Sequence, residues 1–150
     1  MAYYKKVLQP DELVKYVGKL HWIMYRYAIL LIILAGAAAI ISPGLPDQVG
    51  PILTAILLVL AAMAFLSSWF VRVTTEIVVT DKRIIHKVGW ISRRTQEMNV
   101  AKVETVDVNQ SLTGRVLGFG EVTIRGIGGG WEPLRWIASP LKLRNAITVG

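Results

Sequence analysis

The chain has 150 residues, 53% of them hydrophobic, and a mean hydropathy of +0.49. Its 17 Lys and Arg residues outnumber its 10 Asp and Glu residues, giving a formal net charge of +7, and it has no cysteine. The lack of cysteine excludes disulfides, thiolate metal sites and cysteine nucleophiles. The two histidines, His21 and His86, have no companions at metal-ligand spacing, so we expect no metal site and no cofactor. No recognition motif accompanies the basic charge, so we expect no nucleic-acid partner.

Residues 1–26 are expected to form a lead-in followed by an amphipathic helix. The segment Pro10-Asp11-Glu12 is typical of a helix start, with a proline in the first turn and acids near the positive end of the dipole. Apolar residues recur at helical spacing after it, while Lys15 and Lys19 take the opposite face. Such a helix either extends the next segment or anchors the chain at a lipid interface.

Two uncharged segments follow, at residues 27–44 and 49–71. The second is long enough to cross the roughly 30 Å of a bilayer's hydrocarbon as a helix. Proline, glycine and one acid in residues 42–47 indicate a tight turn between the segments. The alternative is a soluble protein with two buried helices, but a chain of this size cannot easily surround them. We therefore predict a membrane protein with a two-helix transmembrane hairpin over residues 27–71.

Small and aromatic residues in these segments suggest two kinds of contact. Small side chains let helices approach closely in lipid, within the hairpin or between protomers. The candidates for this packing are Ala35, Gly36, Ala39, Ala61, Ala64 and Ser68. Aromatic side chains near helix ends are typical of membrane interfaces. The candidate anchors are Trp22, Tyr25, Tyr27, Trp69 and Phe70.

The distribution of charge predicts the orientation of the hairpin. Lys and Arg exceed Asp and Glu in residues 1–26, Arg72 follows the second segment, and the turn offers only Asp47. Because positive flanks mark the cytoplasmic side, we expect both termini and residues 72–150 in the cytoplasm. Neither segment contains an ionisable residue, which disfavours a proton relay or a carrier of charged solutes.

Residues 72–150 change from helical to β texture. Strands are predicted over residues 74–80, 83–90, 91–99, 103–108, 120–125 and 131–137, with a turn or short helix at 111–118. The glycine run at 126–130 predicts a hairpin loop, because an extended segment follows it where a phosphate loop needs a helix. Ser139-Pro140 is expected to begin a C-terminal helix that runs to about Ile147 and covers the sheet.

Four motifs in this part of the chain carry a resemblance to a known family. They are VTDKR at residues 79–83, GWISRR at 89–94, KVETVDVNQ at 102–110 and GRVLGFG at 114–120. Together they resemble the bacterial pleckstrin-homology (PH) family bPH2, formerly DUF304, found in YdbS-like membrane proteins. The resemblance implies a PH-like domain, a bent antiparallel β-sheet capped by a C-terminal α-helix, in the bacterial inner membrane. It brings no catalytic residues.

Two basic pairs are the candidates for an anion or lipid-headgroup site. Lys82-Arg83 and Arg93-Arg94 fall on strands expected to be adjacent and close to the membrane. Anionic lipid attracts each such charge by about 1 kcal/mol. The alternative is that all four are solvated edge residues, placed there by the cytoplasmic bias for positive charge.

No catalytic triad, carboxylate pair or cofactor fingerprint can be assembled from the sequence, so we expect no enzyme. The leading hypothesis is a membrane-anchored PH-like interaction or scaffold module that forms homo-oligomers. Its expected partners are membrane lipids, further copies of itself and other membrane proteins. The alternatives are an anionic lipid-headgroup-binding module and an oligomeric channel or transporter component.

Overall fold

The computed structural model describes residues 8–44, 46, 48–89, 94–131 and 133–148. The chain divides into two compact units. Residues Trp22–Arg72 form one unit, here called the helical hairpin, and Met1–His21 with Val73–Gly150 form the other, the sheet domain. The hairpin is therefore an insertion within the sequence of the sheet domain. The residues before it, expected as a separate lead-in, belong to that domain.

The helical hairpin consists of two long apolar helices, α1 (Arg26–Ile41) and α2 (Val49–Thr74). A 3-10 helix precedes α1 (Trp22–Tyr25), and another follows it (Ser42–Gly44). Two hydroxyl groups in α2 donate hydrogen bonds to backbone carbonyls of the same helix. Thr54 Oγ1 donates to the Gly50 carbonyl and Ser67 Oγ to the Ala64 carbonyl, each at 3.0 Å. These hydroxyls therefore need no external acceptor.

Each helix carries one stripe of shielded residues. In α1 after Tyr27 the stripe is Ala28, Leu31, Ala35 and Ala38, and in α2 up to the last turn it is Gly50, Thr54, Leu57, Ala61, Ala64 and Ser68. Both repeat in alternating steps of three and four residues, the period of a left-handed coiled coil. Near the ends of the stripes the helices touch: Ser68 Oγ donates to the Met24 carbonyl at 3.2 Å, and the Tyr25 and Phe65 rings stack at 5.2 Å. Small residues on both stripes permit this close packing.

The sheet domain contains two antiparallel sheets. The first has, in spatial order, β1 (Val14–Gly18), β2 (Glu76–Thr80), β3 (Arg83–Val88) and β4 (Arg94–Asn99). In the second, β6 (Phe119–Gly126) pairs with β5 (Val103–Asn109), β7 (Gly129–Gly130) and β8 (Leu134–Ala138). A short helix, α3 (Leu112–Leu117), connects β5 to β6, and α4 (Pro140–Thr148) follows β8.

The segment after β1 links the two sheets. Leu20 forms a bridge with Ile137 of β8, the His21 N–H donates to the Trp136 carbonyl at 2.6 Å, and the Ala138 N–H donates to the Lys19 carbonyl at 2.8 Å. The register of β6 against β8 shifts beside this contact, and Trp136 adopts φ of +60°. An extra residue in one strand bends it locally, and the bend here falls where residues 19–21 join β8.

One apolar core fills the sheet domain. It combines residues of the first sheet (Ile77, Val79, Ile84), the second sheet (Val122, Ile124, Leu134, Ile137) and α4 (Leu143, Ile147). Leu143 and Ile147 are one turn apart and buried, so α4 covers the sheets with one face. The expected antiparallel strands and the C-terminal helix that covers them are thereby confirmed.

The expected amphipathic helix after Pro10 is wrong. The middle of the segment predicted as helical forms the strand β1, and the first helical turn, a 3-10 helix, begins only at Trp22. The sequence Val-Lys-Tyr-Val-Gly has weak helix propensity and favours an extended chain, and β1 pairs with β2 along its length apart from a register shift between Val14 and Tyr16. Gly18 lets the backbone of β1 lie close to the Ile77 side chain of β2, because a Cβ at position 18 would be only 3.1 Å from Ile77 Cβ.

The stripe of shielded residues on α2 yields a mutational prediction. Ala61 is 3% exposed on this stripe, whereas Ala62 beside it is exposed. Ala61→Leu overfills the contact between the helices and is expected to lower the free energy of unfolding by about 1–3 kcal/mol. Ala62→Leu adds the same atoms outside the stripe and is the matched control. Thermal unfolding in detergent measures both, and equal midpoints for the two variants would contradict the assignment of the stripe.

Candidate functional site

Of the two basic pairs predicted as an anion site, Arg83 and Arg94 do not come together. Arg83 opens β3 and pairs with Asn99, while Arg94 opens β4 and pairs with Val88. In an antiparallel hairpin these positions lie at opposite ends, here roughly 17 Å apart along the strands. Arg93 lies outside the described residues. The four-residue anion site is therefore not supported, because strand pairing separates Arg94 from Arg83.

Arg83 is instead the centre of an ion-pair cluster, here called the Arg83 cluster (Glu12, Thr80, Arg83 and Glu97). Its Nε and Nη2 donate to the two Glu12 carboxylate oxygens at 2.9 Å each, and its Nη1 donates to Glu97 Oε2 at 2.7 Å. The Thr80 hydroxyl lies 2.7 Å from Glu12 Oε1 and accepts from the Arg83 backbone N–H at 2.9 Å. The positive charge of Arg83, predicted from the sequence to bind a lipid headgroup, is thus compensated by Glu12 and Glu97 within the fold.

The electrostatics of Glu12 follow from this geometry. The Glu12 side chain is fully buried, and that of Arg83 is 19% exposed. Hydrogen bonds from Arg83, with smaller help from the Gln9 backbone and Thr80, outweigh desolvation and lower the pKa of Glu12 to about 2. The bond to Glu12 likewise raises the pKa of Arg83. Glu12 therefore stays ionised despite its burial.

The cluster fixes the N-terminal segment to the first sheet. The Leu13 N–H donates to Asp81 Oδ1 at 2.9 Å, and the Asp81 N–H donates to the Leu13 carbonyl at 3.1 Å. The VTDKR motif thus holds this segment through three residues: Thr80 and Arg83 bind Glu12, and Asp81 binds Leu13. Sequence reasoning missed this partner, since an acid in a short N-terminal segment carries no signal of a bond to an arginine some 70 positions later.

The predicted packing residues divide into two groups. Ala35, Ala61, Ala64 and Ser68 lie on the shielded stripes of the hairpin. Gly36 and Ala39 are exposed, and a Cβ added at Gly36 would meet nothing within 4 Å. The structure therefore assigns the first group to the contact between α1 and α2 and leaves the second outside it.

The predicted interface anchors cluster at one end of the hairpin, where α1 begins and α2 ends. Trp22, Tyr27 and Trp69 are each about half exposed. The Arg72 guanidinium lies 5.8 Å from the centre of the Tyr25 ring, and Arg26 lies 4.5 Å from that of Tyr27. Phe70 is 41% exposed. Aromatic and basic side chains thus occupy the same end of the hairpin.

A shallow groove of about 190 Å³ lies on the sheet domain beside the link between the sheets. It is lined by Asn109, Ser111, Phe119, Gly120, Glu121, Arg135 and Trp136. The Phe119 ring contacts the rings of His21 and Trp136 at centroid distances of 5.3 and 5.8 Å. Arg135 and Glu121 form a long ion pair of 3.7 Å on its rim. Sequence analysis did not identify this groove, because its residues meet only through the pairing of β6 with β5 and β8.

The lowered pKa of Glu12 predicts how stability depends on pH. Since the pKa of Glu12 in the folded chain is lower than its ordinary value of 4.5, Glu12 stabilises the fold above about pH 4.5 and loses this effect as the pH falls toward 2. Glu12→Gln removes a buried charge partner and is expected to lower the free energy of unfolding by roughly 3 kcal/mol at pH 7.

Chemical denaturation at a series of pH values measures the effect of Glu12→Gln. The difference between parent and variant should shrink between pH 4.5 and 2. Asp107→Asn is the control, because its 3.9 Å pair with Arg125 is exposed and is expected to contribute about 1 kcal/mol or less. A difference that persists unchanged to pH 2 would contradict the assigned role of the Glu12 carboxylate.

Comparison with known proteins supplies the family. The family described as "Bacterial PH domain" matches residues 20–148, which is most of the chain and includes the whole helical hairpin and most of the sheet domain. No curated protein and no solved structure matches the chain significantly. The match agrees with the two antiparallel sheets and the covering C-terminal helix. The chain belongs to the bacterial PH domain family.

Proposed function

We propose that this chain is a membrane-anchored, non-catalytic interaction module that forms homo-oligomers in the bacterial inner membrane, with its sheet domain in the cytoplasm. The observation that carries the proposal is the exposure of the hairpin. Both helices are apolar and long enough to cross a bilayer, yet only 17% and 11% of their most apolar windows are buried. Outside the shielded stripes, large side chains such as Ile33 and Val59 are more than half exposed.

Two other readings of the helices fit these observations less well. The core helix of a soluble protein is mostly buried, unlike either helix here. A signal sequence near the N-terminus would account for the first helix and leave the second, Val49–Thr74, unexplained. Exposed apolar surface of this extent is unfavourable in water and favourable in lipid. A bilayer is therefore the environment that best fits both helices.

The interaction role is supported by how the polar groups of the fold are used. Among the described residues, every buried side-chain nitrogen or oxygen atom has a hydrogen-bond partner within the chain. The Arg83 cluster, in which Arg83 donates three side-chain hydrogen bonds to Glu12 and Glu97, holds the N-terminal segment in place. Such saturated groups favour a structural role, because a reactive group needs capacity left for its substrate. Surfaces rather than a polar cleft then carry the function.

The orientation is tested by labelling single cysteines with a membrane-impermeant thiol reagent. The chain has no cysteine of its own, so each variant reports one position. With the positive flanks in the cytoplasm, Gln48→Cys in the hairpin turn should react in intact cells, and Ile127→Cys in the sheet domain should react only after permeabilisation. Both positions are exposed. Labelling of both in intact cells, or the reversed pattern, would contradict the proposed anchoring and orientation.

Self-association is tested by the mass of the particle in detergent. Gly36 and Ala39 lie outside the contact between α1 and α2, on a face where small residues would let another helix approach. We expect a mass several times that of the 16.6 kDa chain, and a lower mass for Gly36→Leu. Leu30→Phe, at an exposed position roughly 120° around the same helix from Gly36, is the control. A parent chain that is monomeric after correction for detergent would refute the oligomer.

A further inference from the structure

The short helix α3 presents apolar side chains outward. Gly114 faces the domain, where a Cβ would lie 2.7 Å from the Phe119 carbonyl oxygen. At 100° per residue, Leu112 and Val116 fall on the opposite side of the helix. They are 81% and 85% exposed, more than any other large apolar residue described except Ile40 at the far end of α1. A helix that merely closes a loop in water would carry polar residues at these positions.

The rest of the loop holds α3 in this orientation. Ser111 caps it, with Oγ accepting from the Gly114 N–H at 3.1 Å, and Gly118 ends it with φ of +80°. Gln110 Nε2 donates to the Phe119 carbonyl at 2.9 Å, and the Ser139 N–H donates to the Gly118 carbonyl at the same distance. The exposed pair is therefore fixed outward by hydrogen bonds on both sides of the helix.

This helix lies at the end of the sheet domain from which the chain leaves for the hairpin. Phe119 follows α3 at once, and its ring contacts that of His21, the last residue before the hairpin begins. The bond from Ser139 to Gly118 brings the start of α4 to the same place, where Leu141 is 49% exposed. The end of the sheet domain at which the chain continues into the hairpin therefore carries three exposed apolar residues, Leu112, Val116 and Leu141.

The charge of this surface is positive. Arg115 of α3 and Lys142 of α4 are exposed beside the apolar residues. The nearby acid, Glu121, pairs with Arg135 at 3.7 Å. Apolar side chains surrounded by basic ones are typical of surfaces that enter the interface of anionic membranes.

We infer that Leu112 and Val116 insert into the headgroup region of the membrane, with Arg115 on anionic headgroups, so that α3 is a second contact between this chain and the bilayer. The inference rests on the proposed membrane anchoring of the hairpin. The α3 surface is distinct from the Lys82-Arg83 turn, which lies at the end of the first sheet opposite to the Gly18–Ile77 pair. The contact fixes which face of the sheet domain is turned toward lipid.

The test uses the full chain in nanodiscs of equal parts phosphatidylcholine and phosphatidylglycerol, with one environment-sensitive fluorophore on a single cysteine. Val116→Cys should be quenched by a lipid carrying a shallow nitroxide and protected from aqueous iodide. Ile127→Cys, 71% exposed in the turn at the opposite end of β6, is the matched control and should show the reverse. A label at Leu58→Cys, exposed in the middle of α2, should be quenched by a second lipid that carries its nitroxide deep in the acyl chain, and it reports whether the hairpin is in lipid.

The outcomes separate this inference from the proposal on which it rests. A Leu58→Cys label in lipid with a Val116→Cys label open to iodide would overturn the inference and leave the anchoring intact. A Val116→Cys label protected from iodide but not quenched by lipid would indicate protein contact and would also overturn it. A Leu58→Cys label without lipid quenching would overturn the anchoring itself.

A second variant pair tests whether the side chains cause the contact. With the label at Thr113→Cys, Leu112→Gln plus Val116→Gln should abolish lipid quenching, while Leu13→Gln plus Ile127→Gln should retain it. All four positions are highly exposed, so the fold should tolerate these changes. Quenching that survives the first pair would mean simple proximity and would overturn the role of Leu112 and Val116. Quenching equally strong in pure phosphatidylcholine would overturn the role given to Arg115.

Discussion

The antiparallel pairing of β1 with β2 is the constraint on which the rest of the structure depends. These strands are neighbours in the first sheet although the whole hairpin separates them in sequence. Gly18 at the end of β1 pairs with Ile77 near the start of β2, so the chain leaves and re-enters the sheet at one end. A segment that returns to its starting side must cross a bilayer an even number of times, and two helices meet that condition. The pairing of β1 with β2 therefore agrees with the proposed topology.

Much of the fold could be predicted because its signals are local. The uncharged length after residue 48, the alternation in β5 and β6, and Ser139-Pro140 at the start of α4 each mark one element. The strand β1 could not be predicted in this way. Its residues alternate too briefly to outweigh a helical pattern, and its partner β2 lies beyond the hairpin. Pairing between distant segments decided its structure.

The candidate site could be predicted less well, for the same reason. Lys82, Arg83 and Arg94 are basic in the sequence, but the register of β3 against β4 separates Arg94 from the other two, and Glu12 forms an ion pair with Arg83. In the sequence Gly114 is only one residue of the GRVLGFG motif. The fold shows that Gly114 faces the domain, which leaves Leu112 and Val116 exposed on the opposite side of the helix. Charge and hydrophobicity are visible in a sequence, whereas what opposes them across a sheet is not.

Removal of the hairpin tests the central claim, that residues up to His21 and from Val73 form one folding unit, most directly. In the decisive measurement, residues 1–21 are joined to residues 73–150 through a short Gly/Ser linker and compared with residues 73–150 alone by thermal unfolding. We expect cooperative unfolding for the joined chain and none for the fragment, which lacks β1 and the Glu12 partner of Arg83. Equally cooperative unfolding of the two at the same temperature would contradict the account.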